Sequence, residues 1–197
     1  MREVELKSVV DDEKLRRSLI EQRGAARTFS GKLIDVRYDA PALGLALRDQ
    51  VLRLRVYETS RGSEAHIDWK GETRYESGFK VREEISSRIG DAAAFAAILG
   101  NIGFIPIRAI EREIEQYELA GAVIRFERYP RMDVLVEVEG EPEAIENAIE
   151  ALGIPRQEFT AERLVDFVAR YEVRTGQRAA LTAAELKGDY TYSPADA

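Results

Sequence analysis

The chain has 197 residues and a mass of 22.2 kDa, which is enough for one domain with a substantial core. A net charge of −7 and a pI near 5.0 argue against a nucleic-acid-binding surface, and zero cysteines exclude disulfides and thiolate chemistry. The longest apolar run, residues 92–99, is far shorter than the roughly 20 residues that a membrane span requires. We therefore expect a cytoplasmic protein, a monomer or homodimer, that binds neither nucleic acid nor membrane.

Alternating apolar and charged residues predict a protein built mainly of strands. The clearest case is 51–58, where Leu52 and Leu54 lie on one face and Arg53 and Arg55 on the other. The predicted strands are 3–7, 32–39, 51–58, 66–70, 79–86, 110–119, 123–129 and 134–139. Residues 110–119 fit either a helix or a strand, and we interpret them as a strand. Residues 71–78 are expected to form a loop.

Helices are predicted between and after these strands. The first begins at 11–13 and ends near Gly24, and a short alanine-rich helix follows Asp91 as its N-cap. Pro142 begins a third helix, which Gly153 ends. The remaining predictions are a long helix from a Thr160 cap to before Gly176 and a short helix after Thr182. We expect one domain over residues 1–187 and a loose tail over 188–197.

Strongly charged side chains share one face of these strands. Because alternate residues of a strand point to opposite sides, Glu3, Glu5 and Lys7 lie together, opposite Val4 and Leu6. The other charged-face residues are Arg53, Arg55, Lys70, Arg82, Arg112, Arg125, Glu137 and Glu139. One interpretation is a solvated sheet face. The other is a closed sheet whose bases bind a phosphate chain and whose carboxylates bind a hard divalent cation.

The same residues resemble the CYTH family, the triphosphate tunnel metalloenzymes. The opening Glu3-Val-Glu5-Leu-Lys7 is similar to the family's E-x-E-x-K signature, which is weak when it stands alone. Later segments match in the expected order: Asp35-Val-Arg-Tyr38-Asp39, Leu52-Arg53-Leu-Arg55, Trp69-Lys70-Gly71, Arg82-Glu-Glu84 and Val136-Glu137-Val-Glu139. Together these segments cover roughly residues 3–155.

The resemblance implies an α+β fold, an eight-stranded antiparallel closed barrel with a charged interior and several short helices outside. It also implies Mg²⁺ or Mn²⁺ as cofactor and a small-molecule triphosphate as substrate: ATP, tripolyphosphate or thiamine triphosphate. Glu3, Glu5 and Lys7 would take part in catalysis. The implied phosphate-binding residues are Lys7, Arg53, Arg55, Lys70, Arg82, Arg112 and Arg125. The implied metal ligands are Glu3, Glu5, Glu127, Glu137 and Glu139.

Three features depart from the family's pattern. The family often has a K-x-R-x-x-Y run, and here the segment from Arg112 to Tyr117 has Ile114 at the second basic position. The acid twelve residues before the last Glu of the closing strand is Glu127, where an Asp is usual. Met132-Asp133 replaces a Leu-Gly pair. These departures bear on turnover and on which triphosphate is preferred.

Several functions fit this pattern. An adenylyl cyclase would convert ATP to cyclic AMP and pyrophosphate, whereas a triphosphatase would release orthophosphate. The compact size and Leu152-Gly153-Ile154 resemble the cyclase branch slightly more. A non-catalytic polyphosphate or nucleotide sensor is the alternative from another class, and a plain interaction barrel is a weaker one. His66, the only histidine, is not expected to be a general base.

Overall fold

A closed antiparallel barrel forms the body of the computed structural model, which describes residues 2–192. The strands are β1 (Arg2–Val9), β2 (Ala26–Asp39), β3 (Val51–Thr59), β4 (Gly62–Lys70), β5 (Arg74–Glu76), β6 (Phe79–Ile89), β7 (Ile105–Leu119), β8 (Ala122–Arg128) and β9 (Leu135–Glu139). Eight of them follow the order β1-β9-β8-β7-β2-β3-β4-β6, and pairing of β1 with β6 closes the circle. The short β5 pairs with β6 outside the barrel. The predicted eight-stranded α+β barrel is confirmed.

Helices cover the outside of the barrel. They are α1 (Glu13–Gln22), α2 (Ala92–Asn101), α3 (Pro142–Leu152), α4 (Leu164–Thr175) and α5 (Ala183–Leu186). Ile20 of α1 and Ile145 of α3 pack with Leu6, Phe126 and Val138 in the largest apolar cluster. Within residues 2–192, no helix has both the length and the apolar character that crossing a membrane requires.

The C-terminal segment occupies one end of the barrel. Ile110 and Leu135 contact Phe167, Val168 and Leu181 in a second apolar cluster. Cross-strand pairing puts Ile110 on the same face as Asp35, and Leu135 on the same face as Glu127, so both point inward. The C-terminal segment therefore fills this end with apolar side chains.

Some predicted elements were wrong in their bounds. Residues 71–78 contain β5 rather than only a loop. The long helix begins after Arg163, not at a Thr160 cap, because Thr160 is instead paired through two backbone hydrogen bonds with Lys7. Of the predicted tail, residues 193–197 lie outside the described residues, and Tyr190 accepts a hydrogen bond from Arg131.

A buried ion pair fixes α5 against the barrel. The Arg108 Nη1 atom lies 2.9 Å from Oε1 of Glu185, and both side chains are 3% exposed. The Glu185 Oε2 atom also accepts a hydrogen bond from the backbone N–H of Leu181. Charges this deeply buried are tolerated only when they are paired.

We predict that Glu185→Gln lowers the free energy of unfolding by about 3 kcal/mol, because it leaves the Arg108 guanidinium buried without a counter-charge. Glu150→Gln is the matched control. Its carboxylate pairs with Arg23 at the surface and is 75% exposed, so we expect a change below about 1 kcal/mol. Urea unfolding measures both. Equal values for the two variants would contradict a stabilising role for the buried pair.

Candidate active site

The inward-facing charged side chains meet in one cavity inside the barrel, with a volume of about 290 Å³. All twelve residues predicted to bind metal or phosphate line it: Glu3, Glu5, Lys7, Arg53, Arg55, Lys70, Arg82, Arg112, Arg125, Glu127, Glu137 and Glu139. Strand register explains the convergence, because directly opposed residues share a face. Glu5 lies opposite Glu139, Lys7 opposite Glu137, and Glu3 opposite Arg82.

Lysines hold the carboxylates of β1 and β9. The Lys7 Nζ atom lies 2.6 Å from Glu137 and 2.9 Å from Glu5, and Lys80 donates to Glu5 at 2.6 Å. Burial opposes the charged form, yet Glu137 and Glu5 together raise the pKa of Lys7 above its usual range. Burial likewise opposes ionisation of Glu5, but Lys7 and Lys80 hold its pKa well below the ordinary value. Lys7 and Glu5 therefore stay ionised although they are buried.

Asp35 organises the arginines on the opposite wall. Its carboxylate accepts hydrogen bonds from Arg55 at 2.7 and 3.0 Å, forms an ion pair with Arg112 at 3.0 Å and lies 3.6 Å from Arg53. Burial raises the pKa of Asp35, but Arg53, Arg55 and Arg112 outweigh it and hold that pKa well below its usual range. Arg53 also binds Asp68 through two hydrogen bonds.

The remaining predicted bases have different partners. Lys70 binds Glu3, and Arg125 lies 2.7 Å from Glu137. Arg82 donates to the backbone carbonyls of Gly71 and Asp49.

Glu127 is held by two neighbours. Arg112 donates to it at 2.8 Å, and the Tyr129 hydroxyl donates at 2.6 Å.

The predicted site set omitted several side chains. Asp35, Asp68, Lys80 and Tyr129 line the interior or bind its charged residues. Asp35 belongs to a segment that resembles the family pattern. Its arginine partners, however, are 18 to 77 positions away in the sequence and contact it only because the strands pair. A single strand pattern cannot supply that information. Ile114 is 1% exposed and lies opposite Glu127. It therefore occupies the interior face, at the position where the family pattern often has a second basic residue.

Glu139 differs from the other acids. Within the described part of the chain, its carboxylate has neither a hydrogen bond nor an ion pair. Burial and the neighbouring Glu137 raise its pKa to about 7, although Arg125 acts in the opposite direction.

The interior offers the donor chemistry of a hard-cation site. Glu139 faces Glu5 directly across the β1–β9 pair, and like charges in that position repel unless a cation lies between them. Carboxylate oxygens are the ligands that Mg²⁺ and Mn²⁺ prefer, so the residues present fit such an ion. Among residues 2–192, however, no three acidic or histidine side chains are already arranged as a metal-binding group. Most of the carboxylates are bound to lysine or arginine instead.

Comparison with known proteins agrees with the resemblance seen in the sequence. The CYTH domain model matches residues 1–161. The PH1819 protein from Pyrococcus horikoshii OT3 has a similar structure, with a TM-score of 0.70 and 23% identity over 85% of this chain and 98% of that chain. No curated protein sequence matches.

Two further similar structures come from candidate cyclases. One from Vibrio parahaemolyticus has a TM-score of 0.72 and 16% identity over 85% of this chain and 97% of that one. The other, from Hippeastrum and described with a dominant triphosphatase activity, has a TM-score of 0.61 and 16% identity over 91% and 98%. At these identities the likeness shows a shared fold.

We predict that Glu139→Gln stabilises the metal-free protein above pH 7. A carboxyl whose pKa is higher in the folded state than in the unfolded state destabilises the protein when it ionises. This destabilisation grows as the pH rises from the unfolded-state pKa, near 4.5, through the folded-state pKa of about 7. The neutral amide removes that penalty, so we expect a gain of about 1–3 kcal/mol at pH 8 and less than about 1 kcal/mol at pH 5.

The measurement is denaturant unfolding in EDTA at both pH values. The exposed Glu118→Gln is the control and should change stability little at either pH. A variant that destabilises the protein equally at pH 5 and pH 8 would show that the Glu139 carboxylate carries no such penalty.

Proposed function

The chain belongs to the CYTH domain family, and on that premise we propose that it is an enzyme that processes a small-molecule triphosphate with the help of a divalent cation. The observation that carries this proposal is that bases and carboxylates line one interior cavity together. A triphosphate–metal complex presents both signs of charge and matches such an interior.

The bases would bind the phosphates. Arg55 and Arg112 share the Asp35 carboxylate, so their guanidinium groups converge on one region of the wall. A guanidinium presents paired N–H donors to phosphate oxygens, and charge-assisted hydrogen bonds of this kind are strong. Arg82 is bound to backbone carbonyls and so keeps its full charge available for a phosphate group. Lys7, Arg53, Lys70 and Arg125 would complete the binding surface.

The acids would hold the cation. Proteins of this family are in general dependent on divalent metals, and Glu3, Glu5, Glu137 and Glu139, with Glu127 nearby, provide the oxygen ligands here. When bound, Mg²⁺ or Mn²⁺ neutralises charge that develops on the phosphate oxygens. Glu139 is available to a cation without losing a partner. The other carboxylates become available as the phosphates take over their lysines and arginines.

Two reactions use this arrangement. In a cyclase, the ribose 3′-hydroxyl attacks the α-phosphorus of ATP, the bond to the β-phosphate breaks, and cyclic AMP and pyrophosphate form. In a hydrolase, water attacks the terminal phosphorus and orthophosphate leaves. The charged groups around the phosphates serve both, and the position of the nucleophile separates them. The similar Hippeastrum protein is a candidate adenylyl cyclase with a dominant triphosphatase activity.

A second candidate function is a triphosphate sensor without turnover. Ile114 favours it, because an apolar side chain stands inside the barrel opposite Glu127 where related sequences often have a base. Loss of one charge-assisted hydrogen bond can weaken transition-state stabilisation while leaving most of the binding interactions in place.

We expect the purified chain to cleave ATP or tripolyphosphate in the presence of Mg²⁺ or Mn²⁺, and Glu5→Gln to lose at least about tenfold in rate because one metal-binding charge is removed. The assay follows cyclic AMP, pyrophosphate and orthophosphate separately, with thiamine triphosphate as a third substrate.

The products discriminate among the candidates. Cyclic AMP with pyrophosphate identifies the cyclase, and orthophosphate alone identifies the hydrolase. Tight binding without any product identifies the sensor. Full activity in Glu5→Gln, or in wild type with EDTA, would contradict the proposed metal site.

A further inference from the structure

We propose that the open mouth of the barrel binds a planar aromatic organic group attached to the triphosphate, and that Phe29, Tyr57 and His66 form its wall. This inference rests on the proposed function and specifies the substrate class: an aromatic-headed triphosphate rather than inorganic tripolyphosphate. It arises from a second cavity that the phosphate and metal assignments leave unused.

The second cavity lies directly beside the charged interior. It has a volume of about 980 Å³ and shares four lining residues with the interior cavity: Glu3, Arg55, Glu84 and Glu139. A volume at the upper end of small-molecule sites accommodates a nucleoside or a group of similar size. A ligand whose phosphates lie against Arg55 would therefore extend its organic part into this space.

Three aromatic rings line this mouth. The Phe29 and Tyr57 ring centroids are 5.3 Å apart at an interplanar angle of 73°, and those of Tyr57 and His66 are 5.9 Å apart at 82°. All three residues are only partly buried. Aromatic side chains that retain accessible ring surface next to a cavity are suited to stack with a planar heterocycle.

The aromatic wall is continuous with the proposed phosphate-binding residues. The Arg55 guanidinium lies 5.8 Å from the Tyr57 ring centroid, and its Nη1 atom is 3.4 Å from the Tyr57 hydroxyl. Arg55 is therefore positioned to bind phosphate on one side and to contact the aromatic wall on the other. The two regions therefore adjoin at Arg55, as a molecule with a triphosphate joined to an aromatic group requires.

Gly31 allows Phe29 to take this position. A Cβ atom at Gly31 would lie 2.1 Å from the backbone oxygen of Glu58 and 3.1 Å from the Phe29 ring. No side chain fits there without moving the β3 backbone. Glycine therefore lets Phe29 fold over the strand beside Tyr57.

Polar groups at the mouth complement the rings. Gln116 accepts hydrogen bonds from Arg125 at 3.0 and 3.2 Å, and its amide nitrogen donates to the Thr28 hydroxyl at 3.3 Å. Both side chains line the same cavity as the rings. An amide and a hydroxyl next to aromatic surface provide the hydrogen-bonding groups that fix the orientation of a polar heterocycle.

The other end of the barrel is partly occupied by apolar side chains. Phe167, Val168 and Leu181 of the C-terminal segment pack there against Ile110 and Leu135. This packing reduces the space at that end, whereas a cavity of about 980 Å³ is present at the aromatic mouth, which favours the mouth as the location.

The test compares ATP, thiamine triphosphate and tripolyphosphate by isothermal titration calorimetry with the full chain, in EDTA and again with Mg²⁺. We expect Phe29→Leu combined with Tyr57→Leu to weaken ATP or thiamine triphosphate binding roughly 5- to 150-fold, the range for loss of base stacking. Binding of tripolyphosphate should change less than about twofold. The ligand that loses affinity identifies which heterocycle the mouth accepts.

Two controls separate stacking from other effects. Tyr57→Phe keeps the ring while removing the hydroxyl near Arg55. We therefore expect its affinity for ATP and thiamine triphosphate to stay within about threefold of the wild-type value. Tyr75→Leu removes a tyrosine that is 64% exposed on the outside and should have no effect on any ligand. The unfolding midpoint of each variant shows that it is folded, and Phe29→Leu alone provides a milder substitution.

The outcomes distinguish the aromatic binding site from the proposed function. If tripolyphosphate binds as tightly as ATP and thiamine triphosphate, and the ring variants affect all three equally, the aromatic mouth is not a binding site but the proposed function stands. If none of the three binds in either condition, the proposed function itself fails.

Discussion

The network of ion pairs inside the barrel is the feature on which the rest of the structure depends. Removing a charge from water costs several kcal/mol, so a wall of arginines or a wall of glutamates alone could not be buried. Here each sign compensates the other: Asp35 serves three arginines, and Lys7 joins Glu5 to Glu137. Closure of the barrel brings these partners together. Outside, apolar clusters beneath α1 and α3 stabilise the closed sheet.

The same network makes binding an exchange of partners. A triphosphate offers the bases new acceptors, and a divalent cation offers the carboxylates a new counter-charge. Either one alone would leave the opposite sign buried without compensation, which favours joint binding of the two. Glu139 already shows the effect in the free protein, because a carboxylate without a basic partner has a pKa raised to about 7. Pairing of these carboxylates with lysines and arginines thus explains why no preformed metal-binding group is found among the described residues.

Sequence reasoning predicted the part of this arrangement that depends on local alternation. Period-two patterns such as Leu52-Arg53-Leu54-Arg55 determine which face each side chain occupies, and the twelve predicted site residues do line one cavity. Which acid meets which base depends on register and closure, so the central place of Asp35 was not predicted. Thr160 shows a similar limit: its side chain suits a helix cap, but its backbone pairs with Lys7. The start of β2 was also missed, because residues 26–31 are mostly exposed and do not alternate between apolar and polar side chains.

The two ends of the barrel differ, and this difference favours one end as the entrance for a ligand. The matched CYTH domain ends at residue 161, and the segment that follows supplies Phe167, Val168 and Leu181 to the apolar cluster at one end. The buried Arg108–Glu185 pair ties that segment to β7, so moving it would expose both apolar surface and an unpaired charge. Within residues 2–192, no such apolar cluster lies at the aromatic end, which opens into a larger cavity. A charged ligand therefore has the lower barrier through the aromatic mouth, where its phosphates can advance to Arg55 while its organic group stays behind.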